Sequence, residues 1–195
     1  MLPPPLLHVA GRAELLAAPA FAIVGSRNAS TQGSRDAYQL ALALSASGLP
    51  IVSGLAMGID AAAHRGGLAE RGSSIAVMGT GPDVCYPRDN AALAAALARD
   101  GALVSEFPLG TAPRAGNFPR RNRLISGMSR GVLVVEAALG SGSLTTARRA
   151  LEQDRDVFAV PGSIHSPLSK GCHWLIKEGA KLVESAADVL LELGW

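Results

Sequence analysis

The sequence predicts an α/β fold, a mostly parallel sheet with helices on both faces, and three observations carry that expectation. Short apolar runs alternate with longer amphipathic stretches from Phe21 onward. Most of the runs are continuous rather than alternating, as strands buried on both faces should be. Glycine and hydroxyl residues follow four of the runs directly, and open α/β sheets gather their ligands beyond the carboxyl ends of strands.

Taken in order, the candidate strands are Phe21–Gly25, Pro50–Ser53, Ser74–Met78, Ala102–Ser105, Val132–Glu136, Val157–Val160 and the short Lys181–Val183. Between them, apolar residues at three and four spacing predict helices over Gly33–Ser47, Ile59–Glu70, Asn90–Arg99, Arg120–Met128, Leu144–Gln153, His173–Glu178 and Ala186–Leu193. The first of these carries Tyr38, Leu42 and Ser45 on one stripe with Ala41 and Leu44 beside it, and Gly48 stands where a C-cap is expected. Residues 1–20, proline-rich and then alanine-rich, read as an N-terminal arm or the remnant of a flanking segment, leaving 21–195 as the domain.

Composition narrows the class. With 195 residues, 48% of them hydrophobic, and a net charge of +2, the chain is long enough for a full core and is not disordered. Its two cysteines, Cys85 and Cys172, make no disulfide framework and lack metal spacing, which reads as a cytoplasmic chain with no metal site. No apolar run approaches the roughly 18 residues of a membrane span, so no membrane partner is expected. Met1–Val9 has three consecutive prolines and no basic stretch, unlike a signal peptide. Arginine supplies 15 of the 18 basic residues, a surplus that either codon usage or guanidinium binding of phosphate would produce.

The strand ends are Gly25-Ser26-Arg27, Ser53-Gly54 through Gly58-Ile59-Asp60, Gly79-Thr80-Gly81 with Asp83, Tyr86, Pro87 and Arg88, and Gly140-Ser141-Gly142-Ser143-Leu144-Thr145-Thr146. Small residues there let a ligand approach backbone N–H groups, and a following helix points its positive end at the same place. Together they describe an anion cradle. The first turn lacks the second and third glycines of a dinucleotide fingerprint, and no lysine precedes Lys170, so a P-loop is absent.

The segment Phe107–Gly131 holds Arg114, Arg120, Arg121, Arg123 and Arg130 and no acidic residue, a charge of +5 against −3 for the rest of the chain. Phe118 beside Arg120, Arg121, Asn122 and Arg123 offers an aromatic face among guanidiniums, the means by which single strands are held without sequence preference. The same pattern fits a solvated helix face with Phe118 as a hydrophobic staple. Among possible acids and bases, His64 reads as a packed or hydrogen-bonded histidine, His165 and His173 lack metal-spaced companions, and Asp60 and Glu136 fit helix capping or the ordering of an arginine as well as catalysis.

These strand ends, with Ser105-Glu106, Phe118-Pro119 preceding Arg121-Asn122-Arg123, and Val157-Phe158-Ala159-Val160-Pro161-Gly162, occur in an order that closely resembles the DNA-processing protein A family, also called Smf. The resemblance covers Phe21 to Val183. It implies an extended Rossmann-like fold, no catalysis and no cofactor. It further implies binding of single-stranded DNA, protection of incoming strands in natural transformation, and help in loading a RecA-type recombinase during DNA recombination. Arg27 and Arg88 would hold phosphates, Phe118 would contact a base, and the loops would offer backbone donors. The implied nucleic-acid site comprises Gly25, Ser26, Arg27, Ser53, Gly54, Arg88, Phe118, Arg120, Arg121, Asn122, Arg123, Ser141, Gly142, Ser143 and Lys170. Homodimerisation would use Ile176 and Leu182.

Two departures stand out. Met57 occupies a position that is basic in many relatives, and the helical and winged-helix-like flanking domains that many relatives carry find no place in residues 1–20 or before Trp195. A second fold-related reading is a nucleoside-monophosphate phosphoribohydrolase, whose loop resembles P-G-G-x-G-T-x-x-E. Here Ala147 stands where the carboxylate would be, which argues against hydrolysis.

Overall fold

The structure, a computed structural model, describes residues 3–195; Met1 and Leu2 of the expected arm lie outside them. Its strands are β1 (His8–Gly11), β2 (Phe21–Val24), β3 (Ile51–Ser53), β4 (Ser74–Val77), β5 (Ala102–Ser105), β6 (Gly131–Val134), β7 (Asp156–Ala159) and β8 (Lys181–Leu182). They form one eight-stranded sheet in the order β1-β5-β4-β3-β2-β6-β7-β8. Every pairing is parallel except that of β1 with β5. The chain steps outward from β2 to β5 and then returns to β6 on the other side of β2. The Rossmann-like switch point therefore lies between β2 and β6, where a crevice opens at the strand carboxyl ends.

The continuous apolar runs are explained by two-sided burial. Ala22, Val24, Val132 and Val134 face one layer, formed by α4 (Asn117–Gly127), α5 (Gly142–Leu151) and α6 (Lys170–Lys177). Phe21, Ile23, Leu133 and Phe158 face the other, where α1 (Thr31–Ala46), α2 (Ile59–Leu68) and α7 (Ala186–Leu193) cover one half of the sheet. Beyond them α3 (Ala91–Asp100) covers Ala76 and Leu103. Phe21 and Phe158 meet edge to face with ring centroids 5.5 Å apart, which locks β2 and β7 under the α1 layer.

The differences from the sequence reading have local causes. No strand was expected before Phe21, yet His8–Gly11 adds the antiparallel edge, and Leu15 in the 3-10 turn that follows is buried in the core. Exposure alternates along these four residues, but Val9 is on the exposed side and His8 on the partly buried one, so the sequence carries no matching apolar signal. Helix α4 begins at Asn117 rather than Arg120, because Pro119 falls within the first turn, where its missing N–H costs nothing. Helix α6 begins at Lys170 rather than His173, entered through a 3-10 turn over Pro167–Ser169.

One buried histidine supports the loop after β3. His64 is fully buried, and its Nε2 accepts the Leu55 N–H at 3.3 Å. Its Nδ1 therefore carries the proton and donates to Ser74 Oγ at 2.7 Å, which in turn donates to the Ile51 carbonyl at 2.8 Å. Leu55 has φ of 59°, a conformation that costs a non-glycine residue about 1 kcal/mol or more. Burial, with Arg121 and Arg65 nearby, pushes His64 down from 6.5 to about 3, so it is neutral in the fold. The unfolded chain takes up this proton as pH falls below 6.5 while the folded chain refuses it until about 3. Stability from His64 is thus complete above pH 6.5 and declines through that window, by up to about 1.4 kcal/mol per pH unit. Thermal melts between neutral and mildly acidic pH should show this slope, and His64→Gln, which keeps both hydrogen-bond roles, should flatten it.

Candidate nucleic-acid interface

At the switch point the strand ends enclose a cavity of about 630 Å³. Its walls come from the β2 turn (Gly25, Arg27), the β3 turn (Ala56, Asp60), the loop after β4 (Tyr86), the start of α4 (Phe118, Arg121, Asn122) and the start of α5 (Ser141, Gly142, Ser143, Thr145, Thr146). Helix α5 has no acidic residue in its first turn, so its positive end faces the cavity uncompensated, with Ser141 as its N-cap. The Ser141 and Ser143 hydroxyls lie 2.8 Å apart and Asn122 Nδ2 donates to the Gly142 carbonyl at 3.4 Å, which holds this wall to α4.

The mouth is aromatic and cationic. Phe118 is half-buried, its ring centroid 5.6 Å from that of Tyr86, and Arg27 Cζ lies 5.6 Å from the Phe118 centroid. Gly79 is required beside it, since a Cβ there would come within 2.7 Å of Phe118 Cδ1. Arg27 is exposed and has no carboxylate partner among the described residues. The phenyl face orients its guanidinium without neutralising it.

Beneath the mouth lie two buried charged side chains, Arg121 and Asp60. Arg121, only 4% exposed, donates from Nη1 to the Gly54 carbonyl at 2.6 Å and to the Val77 carbonyl, so it bridges the ends of β3 and β4. Gly54 is glycine because a Cβ would collide with that guanidinium. Asp60 accepts the Gly54 and Ala56 N–H groups at 3.2 and 3.4 Å. Burial pushes its carboxyl above the ordinary range, against the pull of Arg121 and those N–H groups. Arg121 is lowered to about 10, by burial and by Arg27, against the attraction of Asp60. Asp60 is thus held by backbone N–H groups of the β3 turn, with Arg121 a nearby attracting charge and not an ion-pair partner.

Glu136, the other candidate acid, does a capping job. Its carboxylate accepts the Ser30 N–H at 2.9 Å and the Ser30 hydroxyl at 2.6 Å, and its carbonyl accepts the Ser26 N–H at 2.7 Å. Ser30 Oγ then caps α1 by accepting the Gly33 N–H at 2.9 Å. The link ties β6 to the β2 turn across the switch point and fixes the backbone from which Arg27 projects. Gly58, with φ of 75°, lets the β3 turn pass against the carbonyls of Ser26 and Arg27 from the other side.

Of the residues singled out from sequence, the cavity gathers Gly25, Arg27, Phe118, Arg121, Asn122, Ser141, Gly142 and Ser143. Ser26 and Ser53 are buried, with Oγ accepting the Asn28 N–H and donating to the Ile23 carbonyl respectively. Gly54 lines a small recess below Phe118. Arg88 is exposed at the start of a 3-10 turn, and Lys170 Nζ donates to the Ile164 carbonyl. Arg120 and Arg123 both pair with Glu106 on the far flank of α4.

The Arg-rich segment is therefore not one basic surface. Arg121 is internal, Arg120 and Arg123 share a carboxylate, and Arg130 precedes β6, at the end of the strand away from the crevice. Tyr86, Asp60, Thr145 and Thr146 line the cavity without having been assigned to it. The turn motifs containing them were visible, but nothing in the sequence said which side chains point inward. Removing Arg121 leaves the Gly54 and Val77 carbonyls without their shared donor and takes a positive charge from the neighbourhood of buried Asp60. Arg121→Leu should destabilise the fold by about 1–3 kcal/mol for each carbonyl left unsatisfied, read in denaturant melts, whereas Arg27→Ala should leave the midpoint nearly unchanged.

Comparison with known proteins agrees with this architecture. The chain is 54% identical over 191 residues to Protein Smf of Escherichia coli K12, covering 97% of this chain and 51% of that one. It is 51% identical over 189 residues to DNA processing protein DprA of Streptococcus pneumoniae, covering 97% and 67%. The chain thus spans about half to two thirds of the length of these relatives. Among solved structures, DNA processing protein A from Streptococcus pneumoniae superposes with a TM-score of 0.93 at 51% identity, over 97% of this chain and 66% of that one. DNA processing protein A from Helicobacter pylori, solved for its unique single-stranded DNA binding mode, superposes with a TM-score of 0.90 at 30% identity, over 98% and 87%. The profile of DNA recombination-mediator protein A matches residues 1–194, and the chain belongs to that family.

Proposed function

We infer that this chain is a single-stranded DNA-binding protein and not an enzyme, with the strand lying across the switch-point cavity. The observation that carries the reading is the mouth: an unpaired Arg27 stacked on Phe118, with Tyr86 beside it, above a wall of hydroxyls and the positive end of α5. Bases of a duplex are stacked on one another, whereas a single strand exposes base faces to aromatic rings and its phosphates to the guanidinium. Arg88 and Lys170 belong to the same reading as outlying cations of the rim.

The site's potential acids and bases are otherwise engaged, which supports binding over catalysis. Asp60 is committed to backbone N–H groups beside Arg121, Glu136 to Ser30, and His64 to Leu55 and Ser74. Ala147, at the place of a hydrolase carboxylate, is fully buried in the core. Incubation with AMP should therefore release no adenine.

By kinship with the DNA processing proteins, the strand would be incoming DNA in natural transformation, protected in the cytoplasm and passed to a RecA-type recombinase. The edge strand β8 has its only partner in β7 among the described residues, Leu182 on it is 48% exposed, and Ile176 is partly buried nearby. A second copy docked there would join two cavities and raise avidity.

Binding to homopolymer strands over a salt series tests the assignment. Arg27→Ala should weaken all sequences alike and make the salt slope shallower by about 0.7, the share of one phosphate on a single strand. Phe118→Ala should cost about 1–3 kcal/mol with the slope intact. Equal affinity for duplex and single-stranded DNA would overturn the reading.

A further inference from the structure

A second groove, of about 480 Å³, lies between α1 and α2 on the outer side of the Ser26–Ser30 turn. Its lining includes Thr31, Ser34, Arg35, Tyr38, Gln39 and Arg65. Arg35 and Arg65 are exposed, line the same groove from two helices, and have no carboxylate partner among the described residues. The nearest acid in sequence, Asp36, is held by Gln32 Nε2 at 2.7 Å and is not part of the lining. Two guanidiniums facing one concavity repel each other unless an anion lies between them.

The helix N-terminus beside the groove is not what would hold that anion. The Glu136 carboxylate already stands at that end, accepting the Ser30 N–H, and Ser30 Oγ takes the Gly33 N–H, so a negative charge already occupies the start of α1. What remains is two forked cations, the Thr31 and Ser34 hydroxyls and an aromatic ring, a donor set that fits a phosphodiester.

The position matters as much as the chemistry. Arg27 lines the cavity while Ala29 and Ser30 line the groove, so one short turn is the wall between them. Arg27 to Ser30 is at most about 10 Å of chain, comparable to about three stacked nucleotides at roughly 3.4 Å each. We propose that the Arg35–Arg65 groove is a second phosphate-binding track that takes the backbone of a strand as it leaves the switch-point cavity over the Ser26–Ser30 turn. The proposal rests on the cavity reading above. It extends the site to residues that lie outside the strand-end motifs.

The test compares Arg35→Ala/Arg65→Ala and Arg27→Ala, in the full chain, on oligothymidylates of about 4 and about 20 nucleotides, one at the lower end of single-strand site sizes and one beyond their upper end of about 16. Both variants replace exposed side chains, and thermal melts check that each is folded. The double variant should bind the long strand about tenfold more weakly, with a salt slope shallower by about 1.4, as expected for two phosphates on a single strand. It should bind the short one as the unaltered protein does. Unchanged binding of the long strand overturns the groove, and so does an equal loss on both lengths, which would place these arginines at the cavity. If Arg27→Ala is without effect while the double variant loses the long strand, the cavity reading fails and the groove stands. If the unaltered protein binds neither strand, both fail.

Discussion

The Arg121 guanidinium is the constraint on which the site depends. Two strand ends distant in sequence meet on it, β3 through the Gly54 carbonyl and β4 through the Val77 carbonyl, and the Asp60 carboxylate at the start of α2 attracts it electrostatically. A desolvated charge of this kind costs several kcal/mol to bury, and the fold offsets that cost only if both carbonyls are in place together. The geometry of the crevice is thereby specified as a unit. Gly54 has no side chain because the guanidinium occupies its space, and Phe118 stands three residues earlier on the helix that Arg121 anchors.

A complementary link spans the switch point. Glu136 leaves the end of β6 and holds the turn after β2 through Ser26 and Ser30, so the two strands between which the crevice opens are joined by side-chain as well as ladder hydrogen bonds. The arginines consequently divide by job. Arg121 is structural, Arg120 and Arg123 share the one carboxylate of Glu106, and Arg27 stands over the aromatic mouth. Arg35 and Arg65 sit behind the same turn, unbalanced, in a groove of their own. Net charge and charge per segment are blind to this division, since a guanidinium counts the same whether it faces carbonyls, a carboxylate or water.

Much of the fold was legible in the chain because its signals are local. Two-sided burial writes β2, β4, β5, β6 and β7 as unbroken apolar runs, and three-four spacing marks the helices between them. The edge strand β1 and the early starts of α4 and α6 were not legible. An edge strand needs no continuous apolar run, and the ends of a helix are settled by caps and neighbours more than by periodicity. In the site, the motif turns were legible as turns. Which of their side chains enter the cavity was not.

What the sequence determined by itself was the class of the fold, the placement of glycine and hydroxyl residues at strand ends, and the kinship that their order carries. Each is a property of neighbours along the chain. What only the tertiary structure decided was the fate of the charges: that Arg121 is internal, that Glu106 takes Arg120 and Arg123, that Glu136 holds the α1 cap Ser30, and that Tyr86 joins Phe118. Those pairings connect residues from 14 to 106 positions apart. They form because strand order brings the residues together, and strand order is not written in any local pattern.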